Sequence, residues 1–362
     1  MTRYALVFVA CLSASLVARQ TATSMAPEVP FDSAPGFLKL PPDMHLGEAS
    51  GVAVNSKGHV FVLSRGNTTG PAYGAAAAQL LEFGPDGRFI REIGKNLYAW
   101  AYAHTVRVDK ADNVWVVDKG SDMVVRFNPE GRVTMVFGRK KEASDEAEPW
   151  TRVTPPRPHV DGQFRQPTDV TWDTDGNIFI SDGYINSRVA KFDKSGDWVK
   201  SWGERGTERG QFNTPHSIAA DARGNIYVAD RGNRRIQVFD PNGAFVREIR
   251  IDVPIPPDAR PWMGNLPTPD AAATQNGAPW AICITPGPNQ VLFSSDAFPG
   301  RVYKLSLDGK LLGFLGRSGH QPKQFGWIHE MACPSENEVY VAELLNWRVQ
   351  KLVLQTRTTS QE

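Results

Sequence analysis

The sequence contains little cysteine, and its positive and negative charges nearly balance. Its 362 residues include three cysteines, and 40 lysines and arginines nearly balance 39 acidic residues. Because no basic run or stripe stands out, the composition argues against a nucleic-acid partner. Cys283 and Cys333 lie beyond the N-terminal segment, and their spacing alone does not decide whether they pair.

The one long apolar run, from Ala5 to Val17, follows an early Arg3 and precedes small residues. It has the form of an export signal and is too short to predict a membrane span. We therefore predict a signal peptide over residues 1–24 and a secreted or periplasmic protein, with no membrane association beyond that signal. A retained anchor is the alternative. The apolar stretch before Cys11 is too short to favour lipid attachment.

A repeated unit organises the rest of the chain. Each copy contains an apolar alternation, a turn resembling DxxGN, a second strand ending near an acidic residue, and two further strand patterns, as in HTVRVDKADNVWVVDKGS. The copies begin at six positions, namely Ser50, His104, Thr168, His216, Trp280 and His329. Six four-stranded antiparallel sheets arranged radially predict an all-β fold, a six-bladed β-propeller over residues 36–354 with a C-terminal tail at 355–362.

The last copy ends at WRVQKLVL and lacks a fourth strand. We expect Gly36–Leu40 to supply it and to cover the open sheet edge. Three insertions interrupt the period, at residues 67–79, 139–162 and 251–277, and long loops of this kind are either functional lids or disordered excursions.

Histidine begins the innermost strand in alternate copies, at His104, His216 and His329. Alternate blades of a six-fold ring are about 120° apart, so three side chains at this position converge on the channel axis. Three neutral imidazoles with one open direction are typical of catalytic zinc. The alternative is that each histidine is a hydrogen-bonded channel residue. The other histidines, His45, His59, His159 and His320, fall elsewhere and are interpreted as structural or solvent-exposed.

Residues just past the second strand of each blade should surround the end of the channel at which the histidines converge, here called the mouth. They are Arg65, Lys119, Tyr184 and Arg231. Arginine binds a carboxylate through two hydrogen bonds, and a metal with nearby cations lowers the pKa of a phenol. This mouth therefore suits a small carboxylate-bearing substrate.

The segment GQFNTPHSIAADARGNIYVADRGNRRIQVF resembles an NHL repeat, and QPTDV, SDGYINSR and PHS resemble the peptidyl-α-hydroxyglycine α-amidating lyase family. The resemblance implies zinc held by His104, His216 and His329, Tyr184 as the base, and Arg65 and Arg231 as functional arginines. It also implies calcium bound by the carbonyls of Val52 and Val106 and the carboxylate of Glu330. The family's carboxylate here is normally Asp, and its disulfide cysteines are replaced by Arg165, Ile185, Tyr227 and Val238.

The reaction implied is cleavage of a peptidyl-α-hydroxyglycine, or of a related carbinolamide, to an amide and glyoxylate by a monomeric enzyme. The competing hypothesis is a non-catalytic extracellular NHL propeller that binds a protein or a small molecule. Bare NHL repeats need neither the alternating histidines nor the tyrosine of SDGY, so the sequence favours the enzyme.

Overall fold

A computed structural model describes residues 21–23, 27–66, 78–141, 154–260 and 275–355. Apart from the backbone of Thr21–Thr23, the expected signal peptide lies outside these residues, as do the central parts of the three insertions and all but the first residue of the tail. Within the described ranges, no helix is long and apolar enough to cross a bilayer. The regular structure there is almost entirely β, with one 3₁₀ turn at Arg231–Asn233.

Six four-stranded antiparallel blades surround a channel, as the sequence predicts. From the channel outward, the strands are Ala49–Val54, Val60–Ser64, Gln79–Phe83 and Phe89–Ile93 in blade one; Ala103–Val108, Val114–Asp118, Met123–Phe127 and Val133–Phe137 in blade two; Asp169–Trp172, Ile178–Asp182, Arg188–Phe192 and Trp198–Trp202 in blade three; Pro215–Ala220, Ile226–Asp230, Arg235–Phe239 and Phe245–Asp252 in blade four; Ala281–Ile284, Val291–Ser295, Val302–Ser306 and Leu311–Leu315 in blade five; Ile328–Ser335, Glu338–Glu343, Arg348–Leu354 and Phe31–Ala34 in blade six. Two smaller parallel pairs join Thr21–Thr23 to blade four and Arg317–Ser318 to Gln324–Phe325.

The ring closes through an N-terminal strand, but the segment predicted for this strand was wrong. Phe31–Ala34, not Gly36–Leu40, pairs antiparallel with Arg348–Leu354, with Phe31 opposite Leu354. Gly36–Leu40 runs beside blade one instead, where Lys39 forms a bridge with Arg88. The apolar side chains of this segment, Phe37, Leu38 and Leu40, pack against the core between blades one and six. Their hydrophobicity therefore marks packing rather than strand pairing.

The turn after each inner strand explains the repeated DxxGN letters. In blade four, Asp221 accepts hydrogen bonds from the backbone N–H groups of Arg223 and Asn225, both at 2.9 Å. Gly224 between them has a φ of 84°, a conformation that glycine adopts without steric cost. These turns fix where each second strand starts and hence where its far end meets the channel mouth.

A disulfide joins Cys283 on the inner strand of blade five to Cys333 on the inner strand of blade six. Their spacing alone left this pairing undecided. Both residues lie in the core between these two blades, which also contains Phe293 and Met331.

Candidate metal centre and channel mouth

Three histidines meet in the channel. His104, His216 and His329 lie on the inner strands of blades two, four and six, and each is almost fully buried. One ring nitrogen from each lies within 4.8 Å of those of the other two. Among the described residues, this is the cluster of histidine, cysteine or acidic side chains that could hold a metal ion.

The blades without histidine orient these rings. In each case Nδ1 lies within hydrogen-bonding distance of a backbone carbonyl oxygen on the next blade. The pairs are His104 with Thr168 at 2.6 Å, His216 with Trp280 at 2.7 Å and His329 with Ser50 at 2.7 Å. Because a carbonyl oxygen only accepts, Nδ1 must carry the proton, and Nε2 keeps its lone pair. This is the tautomer and the outer hydrogen bond found in most metal-binding histidines.

The electrostatic environment keeps the three imidazoles neutral. Burial lowers the pKa of each well below its ordinary value, and the neighbouring cationic side chains lower it further. Neutral, buried imidazoles of one tautomer match the chemistry that a zinc ion requires, so the residues present fit the ion that the sequence analysis expects.

Tyr184 reaches the same point from the loop after the second strand of blade three. Its hydroxyl oxygen lies 3.3 Å from Nε2 of His104 and 3.2 Å from Nε2 of His216. The loop approaches blade four closely because residue 183 is glycine: a Cβ there would lie 1.9 Å from the carbonyl oxygen of Pro215. Asp182 accepts a hydrogen bond from the backbone N–H of Arg165 at 2.9 Å and so anchors the loop's base.

Cations surround the Tyr184 phenol. Burial on its own raises the pKa of this phenol, but Lys119, Arg231 and Arg65 outweigh that effect and hold the pKa below its ordinary value. The Lys119 ammonium lies 3.8 Å from the centre of the Tyr184 ring. Burial in turn lowers the pKa of Lys119. The site thus makes the phenolate easier to form than in water and concentrates positive charge beside the histidines.

The two arginines differ in how they are held. Nη1 of Arg65 donates to Glu48 at 2.8 Å, and Nε donates to the carbonyl oxygen of Ala103 at 2.8 Å. Arg231 is 6% exposed, and its Nε and Nη1 atoms are buried with no hydrogen-bond partner among the residues that the structure describes. Its guanidinium lies 4.1 Å from the centre of the Trp280 ring. A buried guanidinium with unpaired donors is suited to an anionic ligand.

The sequence analysis did not identify every member of the mouth. Glu48 fixes Arg65, and Tyr102 stacks under it with the guanidinium 4.2 Å from the ring centre. Trp280 contacts Trp327, with ring centres 4.8 Å apart, and forms an apolar wall beside His216. Trp280 stands at the repeat position of the histidines, which was the available signal. Glu48 and Tyr102 precede their repeats and gave none.

The three residues expected to bind calcium also meet, in a different arrangement. The carboxylate of Glu330 accepts hydrogen bonds from the backbone N–H of Val106, at 3.1 Å, and of Val52. The guanidinium of Arg107 lies against the same carboxylate, with Nε 2.9 Å from Oε1. A guanidinium already lies against this carboxylate, so the residues do not fit calcium as they stand.

The remaining histidines lie away from the centre. His59 contacts Glu82 at 2.7 Å, and His159 bonds to the carbonyl oxygen of Asn186 at 2.7 Å. His45 and His320 are exposed. Their interpretation as structural or solvent-exposed residues agrees with the structure.

The fold and the site together define a class: a six-bladed propeller of the NHL type with a three-histidine centre at one end of its channel. Residues 212–239 match the family described as NHL repeat. A solved structure of virginiamycin B lyase from Staphylococcus aureus has a similar fold, with a TM-score of 0.53 at 14% identity over 91% of this chain and 100% of that one.

Within that class the chain is similar to amidating enzymes. It is 31% identical over 240 residues to the peptidylglycine alpha-amidating monooxygenase of Rattus norvegicus, a match covering 60% of this chain and 22% of that protein. It is 26% identical over 278 residues to the peptidyl-alpha-hydroxyglycine alpha-amidating lyase 1 of Drosophila melanogaster, covering 74% and 47%. The chain thus spans less than half the length of each relative. These matches confirm the resemblance seen in the sequence motifs.

Proposed function

We propose that the protein is a metal-dependent carbon–nitrogen lyase that cleaves a peptidyl-α-hydroxyglycine, or a related carbinolamide, to an amide and glyoxylate. The observation that carries the proposal is the convergence of three histidine Nε2 atoms with the Tyr184 hydroxyl. The similarity to relatives named as amidating lyases supports a lyase-type role.

His104, His216 and His329 are the proposed zinc ligands, each through Nε2. A bound zinc ion would act as a Lewis acid that draws electron density from the substrate oxygen it contacts. The propeller's part is to hold three neutral ligands in place, through the carbonyl groups of the intervening blades.

Tyr184 is the proposed general base. Its lowered pKa favours the phenolate, which takes the proton of the substrate's α-hydroxyl group. The oxygen lone pair then forms the aldehyde of glyoxylate while the C–N bond breaks. The bonding electrons pass to nitrogen, which gains a proton and leaves as the amide, so no water is consumed.

Arg231 is the proposed carboxylate-binding residue. Its buried Nε and Nη1 atoms have no hydrogen-bond partner among the described residues, so the guanidinium has N–H groups available for the substrate's carboxylate. Arg65, held by Glu48, and Lys119, 3.8 Å from the centre of the Tyr184 ring, add further positive charge near Tyr184. This cationic mouth selects small carboxylates and offsets the charge that develops as the C–N bond breaks.

The proposed location is outside the cytoplasm. The Cys283–Cys333 disulfide supports it, because structural disulfides persist mainly in oxidising compartments.

Zinc content and glyoxylate release test the proposal together. We expect about one tightly held zinc per chain after dialysis, and chelator-sensitive release of glyoxylate and benzamide from N-benzoyl-α-hydroxyglycine. His45→Ala is the matched control, because His45 is exposed and is not a member of the cluster, and it should behave like the wild type. Zinc-loaded protein that releases no glyoxylate from any carbinolamide would favour the binding-scaffold hypothesis instead.

Calcium is not part of this proposed mechanism. The zinc centre and the mouth account for every proposed chemical step, and the Glu330 region is considered separately below.

A further inference from the structure

A charged cluster fills the channel behind the histidines. Arg107 lies three residues after His104 on the inner strand of blade two, and two carboxylates face it, Asp169 from blade three and Glu330 from blade six. Nε and Nη2 of Arg107 donate to the two oxygens of Asp169 at 2.9 and 2.5 Å. Nε also lies 2.9 Å from Oε1 of Glu330. Both carboxylates are almost fully buried.

The cluster contacts every blade of the ring. Further donors of Arg107 reach Met331 of blade six, Ser217 of blade four and Ile282 of blade five, at 3.1–3.3 Å. Glu330 accepts from Val106 of blade two and Val52 of blade one. One guanidinium and two carboxylates therefore link the inner strands of all six blades within the channel.

The positive charge of Arg107 is permanent. Burial on its own lowers the pKa of Arg107, but Asp169 and Glu330 outweigh it and raise the pKa above its ordinary value. The packing is also close: a Cβ on Gly51 would lie 2.8 Å from Oε2 of Glu330. A divalent ion added here would meet the guanidinium at contact distance, which like charges in a buried site oppose.

The oxygen atoms around Arg107 are otherwise those that calcium prefers. They comprise the carboxylates of Asp169 and Glu330, the carbonyls of Met331 and Ile282, and the Ser217 hydroxyl. We propose that the Arg107 guanidinium is the built-in cation of this channel, lying against the Glu330 carboxylate to which the sequence resemblance assigns calcium, so that the folded ring does not depend on calcium.

Calcium-dependent unfolding tests this inference. Full-length protein is freed of calcium on a chelating resin, reloaded with zinc, and unfolded thermally with 5 mM CaCl₂ or 5 mM MgCl₂. The wild-type midpoint should be the same in both. Arg107→Ala removes the guanidinium and leaves two buried carboxylates, so its midpoint should fall by about 10 °C or more in magnesium, the cost of breaking a buried ion pair. Calcium should recover at least half of that loss by binding the folded state.

Arg188→Ala is the matched control. Arg188 is also fully buried against a carboxylate, that of Asp182, but away from the channel. It should lose stability and show no calcium response. Should Arg107→Ala fail to accumulate, Arg107→Gln refolded in calcium or in magnesium gives the same comparison through the yield of folded protein.

Either of two results would overturn the inference. One is a wild-type midpoint that rises with calcium, or one calcium per wild-type chain after dialysis. The other is an Arg107 variant that calcium stabilises no more than magnesium does. Neither readout uses catalysis, so the inference and the proposed lyase activity can fail independently.

Discussion

At the scale of single residues, the candidate metal centre combines histidine rings from three blades with the backbone carbonyl groups of the other three blades. Histidines on blades two, four and six present Nε2 to one point, and Ser50, Thr168 and Trp280 on the other blades supply the carbonyl groups that fix Nδ1. The side chains of those three residues therefore do not determine the orientation, since the backbone carries it. This explains why the repeat position tolerates serine, threonine and tryptophan in the intervening copies.

At Tyr184, the proposed catalytic role can be tested without disturbing the fold. Tyr184→Phe removes the hydroxyl group and leaves the ring between Lys119 and the histidines. We expect glyoxylate release to fall by about 10²–10⁴-fold, the usual effect of losing a positioned base. Zinc content by elemental analysis and the thermal midpoint should stay close to wild type. Full activity in this variant would remove Tyr184 from the mechanism.

Several site residues followed from the sequence because repetition placed them. The three histidines share one repeat position, Arg65 and Arg231 lie 15 residues after that position in their copies, and Tyr184 lies 16 residues after it. A propeller brings such similar offsets to the same end of the channel. The role of Arg107 could not be predicted from the repeat. It is a single residue of one blade, and its partners belong to other blades across the channel. Whether a carboxylate faces a metal or a guanidinium depends on these long-range contacts, and spacing along the chain does not report them.

At the scale of elements, the inner strands of blades five and six are joined covalently. The Cys283–Cys333 disulfide links residues 50 positions apart, with Cα atoms 6.1 Å apart. Each bonded sulfur belongs to a buried side chain in the shared core. The link constrains the unfolded chain across most of one blade, independently of the strand that closes the ring.

Removing this disulfide should destabilise the propeller without changing its fold. Loop closure over about 50 residues corresponds to about 4 kcal/mol in the chain-entropy model. We therefore expect the Cys283→Ala/Cys333→Ala double variant to unfold at a lower urea concentration than the wild type. A reductant should lower the wild-type midpoint similarly and leave the double variant unaffected. Equal midpoints for oxidised and reduced wild type would show that the disulfide does not contribute to the free energy of unfolding.

The strand error in the sequence analysis also belongs to this scale. Gly36–Leu40 contains three large apolar residues, which favoured it as a strand, whereas Phe31–Ala34 contains one. The structure uses Phe37 and Leu38 for packing between blades and FDSA for pairing. The local pattern of apolar residues indicates burial. Which segment pairs with the open edge of blade six depends instead on the path of the chain around the ring.

At the scale of the whole molecule, stability depends on closing the circle. Phe31 is buried at this closure and contacts Phe325, with ring centres 6.4 Å apart. Ser33 donates to Gln350 on the adjacent strand. A propeller with this strand detached would expose the edge of blade six and the core beneath it.

Phe31→Ala tests the closure. Truncating a buried phenylalanine costs about 3–5 kcal/mol, so the urea midpoint should fall markedly and proteolysis near the N-terminal strand should accelerate. Val353→Ala is the comparison, because Val353 is on the partner strand but 45% exposed, and its effect should be below about 1 kcal/mol. Similar losses in the two variants would mean that the strand adds little to closure.

The closing strand also sets an order of events during synthesis. Ser33 and Gln350 are 317 positions apart in the chain, so the strand Phe31–Ala34 leaves the ribosome long before its partner strand Arg348–Leu354. At about 5–20 residues per second, this interval lasts roughly 15–60 s. Blades one to five can form from local hairpins in that time while the N-terminal strand remains without its partner. The nascent protein is thus an open arc until Arg348–Leu354 has emerged, and chaperone binding is most useful to it before the ring closes.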